Sequence, residues 1–407
     1  MNIALLHYTC PPFVGGVEEI IRQQASLFHR FSHRVKIIVG NGSHFTDKYE
    51  IEINPLLSSK NRSIIRFQQN VEKNLDKIEI FSNKIYQYLN KTLGNIDIVI
   101  AHNVLTMHYN LPLTMALHRL AEIKKIISWN HDSPYFYKNY DSSLDFPPWD
   151  VLKKYNDKIY YVTISNSRSK EFRKLYGIRE NLPVIPNGID PIRFFRLDRT
   201  TVKLIDENDL FSSDLIIVQP SRLHPRKNIE LSIKVLYALH KKGLKAKLLL
   251  SGAYDPHEKK NVEYYYKLRR LIKKFDLDEY VIIVAEYKFK NGGKMTADRI
   301  TIRDLYLISD LLFLPSTQEG FGLPIIEAGM IKLPVFCSDI PPFKNIGGNN
   351  VYYFNLNDPP DEIADKIIKV TSTLKTQRMY RYVINNLVWD NIYTKMLEPL
   401  LEKVISD

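Results

Sequence analysis

Glu319 and Glu327 stand eight positions apart in the string Glu319-Gly320-Phe321-Gly322-Leu323-Pro324-Ile325-Ile326-Glu327. The apolar run just before it reads as a buried strand. A helix is expected from Pro324, where a missing N–H in the first turn is harmless. The glycine loop between them aims backbone N–H groups and a helix dipole at one point, which attracts an anion, most often phosphate. Carboxylates cannot bind that phosphate, so these two would accept hydrogen bonds from something hydroxyl-rich. A diphosphate joined to sugars meets both demands. Upstream, Pro220-Ser221-Arg222-Leu223-His224-Pro225-Arg226-Lys227-Asn228 follows another apolar run. Fixed cations such as Arg222 and Lys227 would stabilise a departing diphosphate more in the transition state than in the ground state. One first-turn glutamate or one pair of loop bases is commonplace. Their combined position at strand ends gives them weight.

Such residues need strands that end together. In the first half, strands are predicted over 3–7, 35–39, 96–101, 125–129 and 160–165, with helices over 17–31, about 64–93, 111–121 and from Ser167. Pro186-Asn187-Gly188-Ile189-Asp190-Pro191 is a dense turn cluster, with hinge duty the simplest role for Asn187-Gly188. Beyond it, strands are expected over 215–219, 247–252, 280–284, 311–314 and 335–338, and helices from near Asn228, Val262, Thr301, Pro324 and Asp361. This alternation implies parallel sheets with helices on both faces, and right-handed crossovers make them Rossmann-like. The fold class is therefore α/β, with two doubly wound domains at 1–188 and 189–385. An amphipathic helix over 386–407 follows. The insertion at 288–296, with Gly292-Gly293, reads as a mobile loop.

Composition bounds the function. The 407 residues are 44% hydrophobic and 25% charged, as in a soluble globular protein. No apolar run spans a bilayer, and Met1-Asn2-Ile3-Ala4-Leu5-Leu6 reads as a strand rather than a signal peptide. Two distant cysteines, Cys10 and Cys337, imply neither a disulfide framework nor a zinc site, and point to the reducing cytoplasm. The net charge of +12 gathers partly in clusters, Arg22, Arg30 and Arg34, and Lys267, Arg269, Arg270, Lys273 and Lys274. Solvated helix faces account for these; peripheral attraction to an anionic membrane is the sharper alternative. No nucleic-acid module is visible. Asp276-Leu277-Asp278 falls at the wrong end of the sheet for a ligand site and reads as a turn, so no metal is assigned to it.

The glutamate string resembles the glutamate–seven–glutamate signature of the retaining glycosyltransferase family 4, which has the GT-B fold, and the likeness covers nearly the full length. The Pro220–Asn228 loop resembles that family's arginine–lysine motif. Pro11-Pro12-Phe13-Val14-Gly15-Gly16-Val17-Glu18 resembles its glycine-rich loop after strand one, and Trp129-Asn130-His131-Asp132 its histidine–aspartate element. The resemblance implies two domains facing a cleft, 1–188 binding the acceptor and 189–385 the nucleotide-sugar donor, braced by the C-terminal helix crossing back to the first, and transfer of a hexose from a nucleotide-diphosphate sugar to a hydroxyl acceptor. It makes His131, Glu319, Arg222 and Lys227 catalytic. Gly15, Gly16, Arg222, Lys227, Glu319, Gly320, Phe321, Gly322, Leu323 and Glu327 would bind the donor, Glu319 through sugar hydroxyls and Glu327 through the ribose. His102, Asn103 and Asp132 are acceptor candidates. No cofactor is implied, since the nucleotide sugar is a substrate, and the two cations would replace a metal. Ser-Arg-Leu-x-Pro-Arg-Lys-Asn and Cys-Ser-Asp-Ile-Pro-Pro-Phe resemble mannosyltransferase members, which favours GDP-mannose, with UDP-glucose close behind. The acceptor could be a small polar solute, a polysaccharide or a membrane lipid. Glu327-Ala328-Gly329-Met330-Ile331-Lys332 departs from the family's usual Glu-Ala-Met-Ala-x-Gly, and Ala285-Glu286-Tyr287 lacks the glycine common beside the base, leaving the base open. A hydrolysing nucleotide-sugar epimerase and a non-catalytic sugar-nucleotide-binding protein share the fold and a diphosphate site.

Overall fold

The computed structural model describes residues 1–252 and 259–407. The chain forms two compact units, Met1–Asp190 together with Asn386–Asp407, and Pro191–Asn385.

The first unit is built on six parallel strands: β1 (Asn2–Thr9), β2 (Arg34–Asn41), β3 (Glu50–Ile53), β4 (Ile98–His102), β5 (Lys125–Asn130) and β6 (Ile159–Thr163). Their order is β3-β2-β1-β4-β5-β6. β1 and β4 are buried on both faces, which is why residues 3–6 and 98–101 read as unbroken apolar runs. β3 was not expected. It is a four-residue edge strand whose Glu50 and Glu52 both pair with Lys36, at 3.0 and 2.6 Å, while Ile51 and Ile53 pack into the core, so its sequence is a brief alternation with no apolar run. The helix expected over 64–93 is broken into Arg62–Gln68 and Leu75–Thr92 by a 3-10 turn at Val71–Asn74.

The C-terminal segment belongs to this unit. Trp389, Ile392, Tyr393, Leu397, Leu401 and Val404 share one buried cluster with Ile3, Leu5, Ile21 and Phe28. Tyr393 stacks on Phe31 at 3.8 Å and its hydroxyl lies 2.6 Å from His33 Nε2. Burying each large side chain of this kind stabilises by about 1.5–3 kcal/mol. Gly188 sits where a Cβ would press on Trp389 at 2.6 Å, so close packing alone requires glycine there.

The second unit repeats the plan with β7 (Leu215–Gln219), β8 (Ala246–Leu250), β9 (Val281–Ile283), β10 (Leu311–Leu314), β11 (Val335–Ser338) and β12 (Tyr352–Phe354), in the order β12-β11-β10-β7-β8-β9. Counted within each unit, both sheets run 3-2-1-4-5-6. Each therefore has a switch point beside its first strand, between β1 and β4 and between β7 and β10, where crossovers leave in opposite directions and open a crevice at the carboxyl ends. Asp310, fully buried just before β10, accepts from Ile216 N at 2.6 Å, from Arg381 Nε at 2.7 Å and from Gln377. The 288–296 insertion is a pinned hairpin, not a mobile loop. Lys288 bridges Lys294, and Phe289 and Met295 are buried in the core at its base. Several of the basic residues are paired: Arg22 with Glu19 at 2.5 Å, Lys267 with Glu230 at 2.8 Å, and Arg269 with Asp278 at 3.4 Å. Asp276 takes a left-handed φ of 57° in the turn after its helix. Among the described residues no helix is long and apolar enough to cross a membrane.

Candidate active site

At the switch point of the second sheet, the loop after β7 and the loop after β10 close around a cavity of about 640 Å3. Arg222, Lys227, Glu319, Phe321, Gly322, Leu323 and Glu327 all line it, joined by His224 and Arg226; Gly320 is not on its wall. The two loops are tied by Thr317 N donating to Arg226 O at 2.8 Å. Gln219, the fully buried last residue of β7, donates to Lys227 O at 3.0 Å and accepts from Ser232 at 2.6 Å. The loop that carries the cations is thus anchored to the sheet itself.

Glu319 is the hub. Its carboxylate pairs with Lys227 Nζ, accepts from Arg226 Nη1 at 2.8 Å and accepts from Ser316 Oγ at 2.8 Å. Burial pushes this carboxyl up, yet the hydrogen bonds and charges of Lys227, Ser316 and Arg226 together hold it below the ordinary carboxylate range. Arg222 is exposed and has no carboxylate partner among the described residues, so its charge is available to an anion. Glu327 is exposed on the helix Leu323–Met330 and accepts from Tyr306 Oη at 2.7 Å; burial, then the bond to Glu327, pushes the Tyr306 phenol up. Gly322 has a φ of +120°, and a Cβ there would meet Phe343 at 3.2 Å, so only glycine makes this turn without strain. A Cβ at Gly320 meets nothing within 4 Å.

At the switch point of the first sheet, a cavity of about 460 Å3 is lined by His7, Thr9, Gly16, Glu18, Asn103, His131 and Asp132 among others. Neither Gly15 nor Gly16 is required by crowding: a Cβ at Gly16 meets nothing, and at Gly15 only the Glu18 carboxylate. The neighbouring strands β1 and β4 and the turn after β5 bring His7, His102 and His131 into line. His7 Nδ1 lies 2.7 Å from His102 O, which can only accept, so His7 carries its proton on Nδ1. His102 Nδ1 lies 3.2 Å from His131 Nε2, and His102 Nε2 is buried with no partner among the described residues. Because an orphaned N–H is rarer than an orphaned acceptor, His102 keeps its proton on Nδ1 and donates it to His131. His131 is left with its own proton on Nδ1. Burial depresses all three: His131 to about 3, His102 well below its ordinary value, and His7 less strongly, opposed by the His102 carbonyl and Glu18. All are neutral at pH 7.

The acceptor candidates divide. His102 is fully buried behind His131 and stacked on Trp129 at 5.7 Å, so it cannot touch an acceptor, contrary to expectation. Asn103, in a left-handed turn at φ 57°, is on the cavity wall, but its amide oxygen accepts from His131 N (3.0 Å), Asp132 N (2.9 Å) and Thr106 Oγ1 (3.1 Å). Its work is to hold the His131 turn. Asp132 lines the cavity with its carboxylate bonded to Arg168 at 3.0 Å and Tyr137 at 2.5 Å.

Sequence models of two families match the chain, one described as Glycosyltransferase Family 4 over residues 14–193 and one as Glycosyl transferases group 1 over residues 202–386. The chain belongs to these glycosyltransferases. It is an enzyme of the GT-B type, one matched region per unit. This glycosyltransferase is 24% identical to the mannosylglucosylglycerate synthase of Petrotoga mobilis over 378 residues, 84% of either chain. It is 44% identical over 66 residues to the serotype-specific mannosyltransferase WbdA of Escherichia coli, 16% of this chain and 8% of that one. Among solved structures, a glycosyltransferase from Rickettsia africae ESF-5 is 21% identical, with a TM-score of 0.37, covering 100% of this chain and 99% of that one.

Four residues of the glycosyltransferase were not singled out from its sequence: Arg226, Tyr306, His7 and Glu18. Arg226 lies inside the quoted cationic loop, and only the pairing geometry separates its role from that of Lys227. Tyr306 reaches Glu327 from a helix distant in sequence and left no local signal. For His7 a signal existed. Three histidines at the ends of strands that adjoin in a 1-4-5 order point to one spot.

Proposed function

We propose that this glycosyltransferase moves a hexose from a nucleotide-diphosphate sugar to a hydroxyl acceptor, retaining the anomeric configuration and using no metal. The observation that carries the reading is the convergence of Arg222, Lys227, Glu319 and Glu327 on one cavity at a sheet switch point. Arg222 and Lys227 take the diphosphate as its charge grows, and Glu319 holds Lys227 in place while accepting from sugar hydroxyls with its remaining lone pairs. Glu327 takes the ribose hydroxyls. His131, neutral with its proton on Nδ1, donates to a hydroxyl of the transferred sugar. The acceptor hydroxyl attacks from the face the diphosphate leaves and passes its proton to the departing phosphate, so no separate base is needed. GDP-mannose is the favoured donor, because the motifs at 221–228 and 337–343 resemble those of mannosyltransferases and two of the proteins named above carry mannosyl in their names; UDP-glucose is the second choice. Two unpaired buried cysteines, Cys10 and Cys337, accord with a cytoplasmic setting.

The deciding experiment titrates GDP, UDP and their sugars and follows product mass with mixed acceptors. Glu327→Ala should weaken nucleotide binding and His131→Ala should mainly lower turnover; unchanged behaviour in both would end the assignment. An epimerase would need carboxylates free beside His131. Glu18 accepts from Thr9 at 2.5 Å and Asp132 is held by Arg168 and Tyr137, which favours transfer.

A further inference from the structure

Beside the His131 cavity, in the same unit, lies a second one of about 730 Å3 that shares Met107, Tyr109 and Asp132 with it. One wall is the end of the helix Arg62–Gln68; the other comes from the long connection between β5 and β6, which supplies Tyr137, Tyr140 and Asp141. Connections of that length without regular structure are uncommon unless functional. This one is built as a wall, with 3-10 turns at Pro134–Phe136, Ser142–Asp145 and Trp149–Lys153. Leu144, Trp149 and Leu152 bury themselves against Ile78 and Leu111, and Lys153 pairs with Asp145 at 2.7 Å.

The charge of the lining is unlike that of the chain. Against 57 lysines and arginines and a net +12 overall, no lysine or arginine lines this cavity, whereas Asp132 and Asp141 do. The nearby Arg168 is already paired with Asp132 and, at 2.8 Å, with Glu171. Asp141 accepts from Ser143 N at 2.9 Å, which favours its charged form. His108 Nδ1 is buried with no partner among the described residues, leaving one unmet hydrogen-bonding position. Tyr109 and Tyr137, both in the lining, are 43% and 54% exposed as residues, so neither is sealed off from a ligand. Aromatic faces, the Asp141 carboxylate able to accept from hydroxyls and a lining without lysine or arginine suit a neutral polyhydroxyl ligand and disfavour an anion.

We propose that this cavity holds the acceptor, and that the acceptor is an uncharged saccharide, free or at the end of a glycan, rather than a molecule bearing carboxylate or phosphate at this site. The proposal rests on the transferase reading above. Saturation-transfer NMR on the full chain tests it with methyl α-mannoside, mannobiose and maltotriose against glucuronate and glucose 6-phosphate. At least one neutral sugar should bind, and both anions should bind about tenfold more weakly or not at all. Tyr137→Ala should weaken the neutral sugar about tenfold, and Asp141→Lys should move preference toward the anions. Near-ultraviolet circular dichroism checks that both variants keep the fold; should Tyr137→Ala lose it, Asp141→Lys and the probe comparison still decide. Anions binding as tightly as neutral sugars, no neutral sugar binding, or a neutral sugar indifferent to both substitutions overturns the proposal. Titrations with GDP and UDP read the donor cavity separately, so failure there counts against the transferase reading and not against the saccharide result.

Discussion

Replacing Lys227 by alanine removes a cation proposed to receive the leaving diphosphate, and the structure sets what that should cost. The ammonium is held in advance by Glu319 and, through its own backbone, by Gln219, with 14% of its side chain exposed. Loss of one preorganised, largely desolvated partner of a developing charge costs about 2.7–4 kcal/mol of barrier, or about 10²–10³ in kcat. Folding should suffer far less. Glu319 keeps Arg226 and Ser316, both at 2.8 Å, so no carboxylate is stranded and the stability loss should stay near about 1 kcal/mol. Arg222→Ala should likewise lower kcat, with no measurable change in stability because Arg222 is exposed and unpaired among the described residues. The assay is steady-state release of nucleoside diphosphate from GDP-mannose and UDP-glucose at saturating donor, beside urea unfolding of each variant. If Lys227→Ala keeps kcat within about threefold of the parent, the ammonium is not stabilising the transition state and the reasoning fails.

Four further outcomes are expected. Tyr306→Phe removes the hydroxyl bonded to Glu327, so nucleotide affinity should fall severalfold while stability drops by about 1 kcal/mol; unaltered affinity would detach Glu327 from the ribose. Stability should decline as pH falls below about 6.5: the unfolded chain protonates His7, His102 and His131 there, while burial keeps them neutral when folded, His131 down to about 3. The slope is up to about 1.4 kcal/mol per pH unit for each histidine, and a Tm equal at pH 7 and pH 5 would contradict it. Asp310→Ala leaves Arg381 buried without its carboxylate and should cost about 3–5 kcal/mol in urea unfolding; a loss below about 1 kcal/mol would show the network to be slack. Activity should persist in excess EDTA, and a loss reversed by manganese would refute metal independence.

Much of this was legible in the sequence, for reasons that particular residues make plain. Doubly buried strands such as β7 and β10 must be almost wholly apolar, and the cation and glycine loops fall at their carboxyl ends, so the residues of the candidate site in the second unit could be picked out from the strand ends. Edge strands obey no such rule: β3 has a glutamate at every second position, and β12 is three residues long. Depth was illegible as well. His102 and His131 look alike at the ends of adjacent strands, yet one is sealed and the other borders a cavity, and only packing distinguishes them. The hairpin at 288–296 looked loose because its glycines are conspicuous and its two anchors, Phe289 and Met295, are not.

The return of residues 386–407 to the first unit has a consequence for biosynthesis. Six large side chains of that unit's interior, from Trp389 to Val404, emerge from the ribosome only after the whole of Pro191–Asn385 has been made. At about 5–20 residues per second this delay is on the order of ten to forty seconds. Throughout it, the apolar surface around Ile21 and Phe28 lacks its cover, so the nascent chain offers chaperones a binding face that the finished enzyme does not.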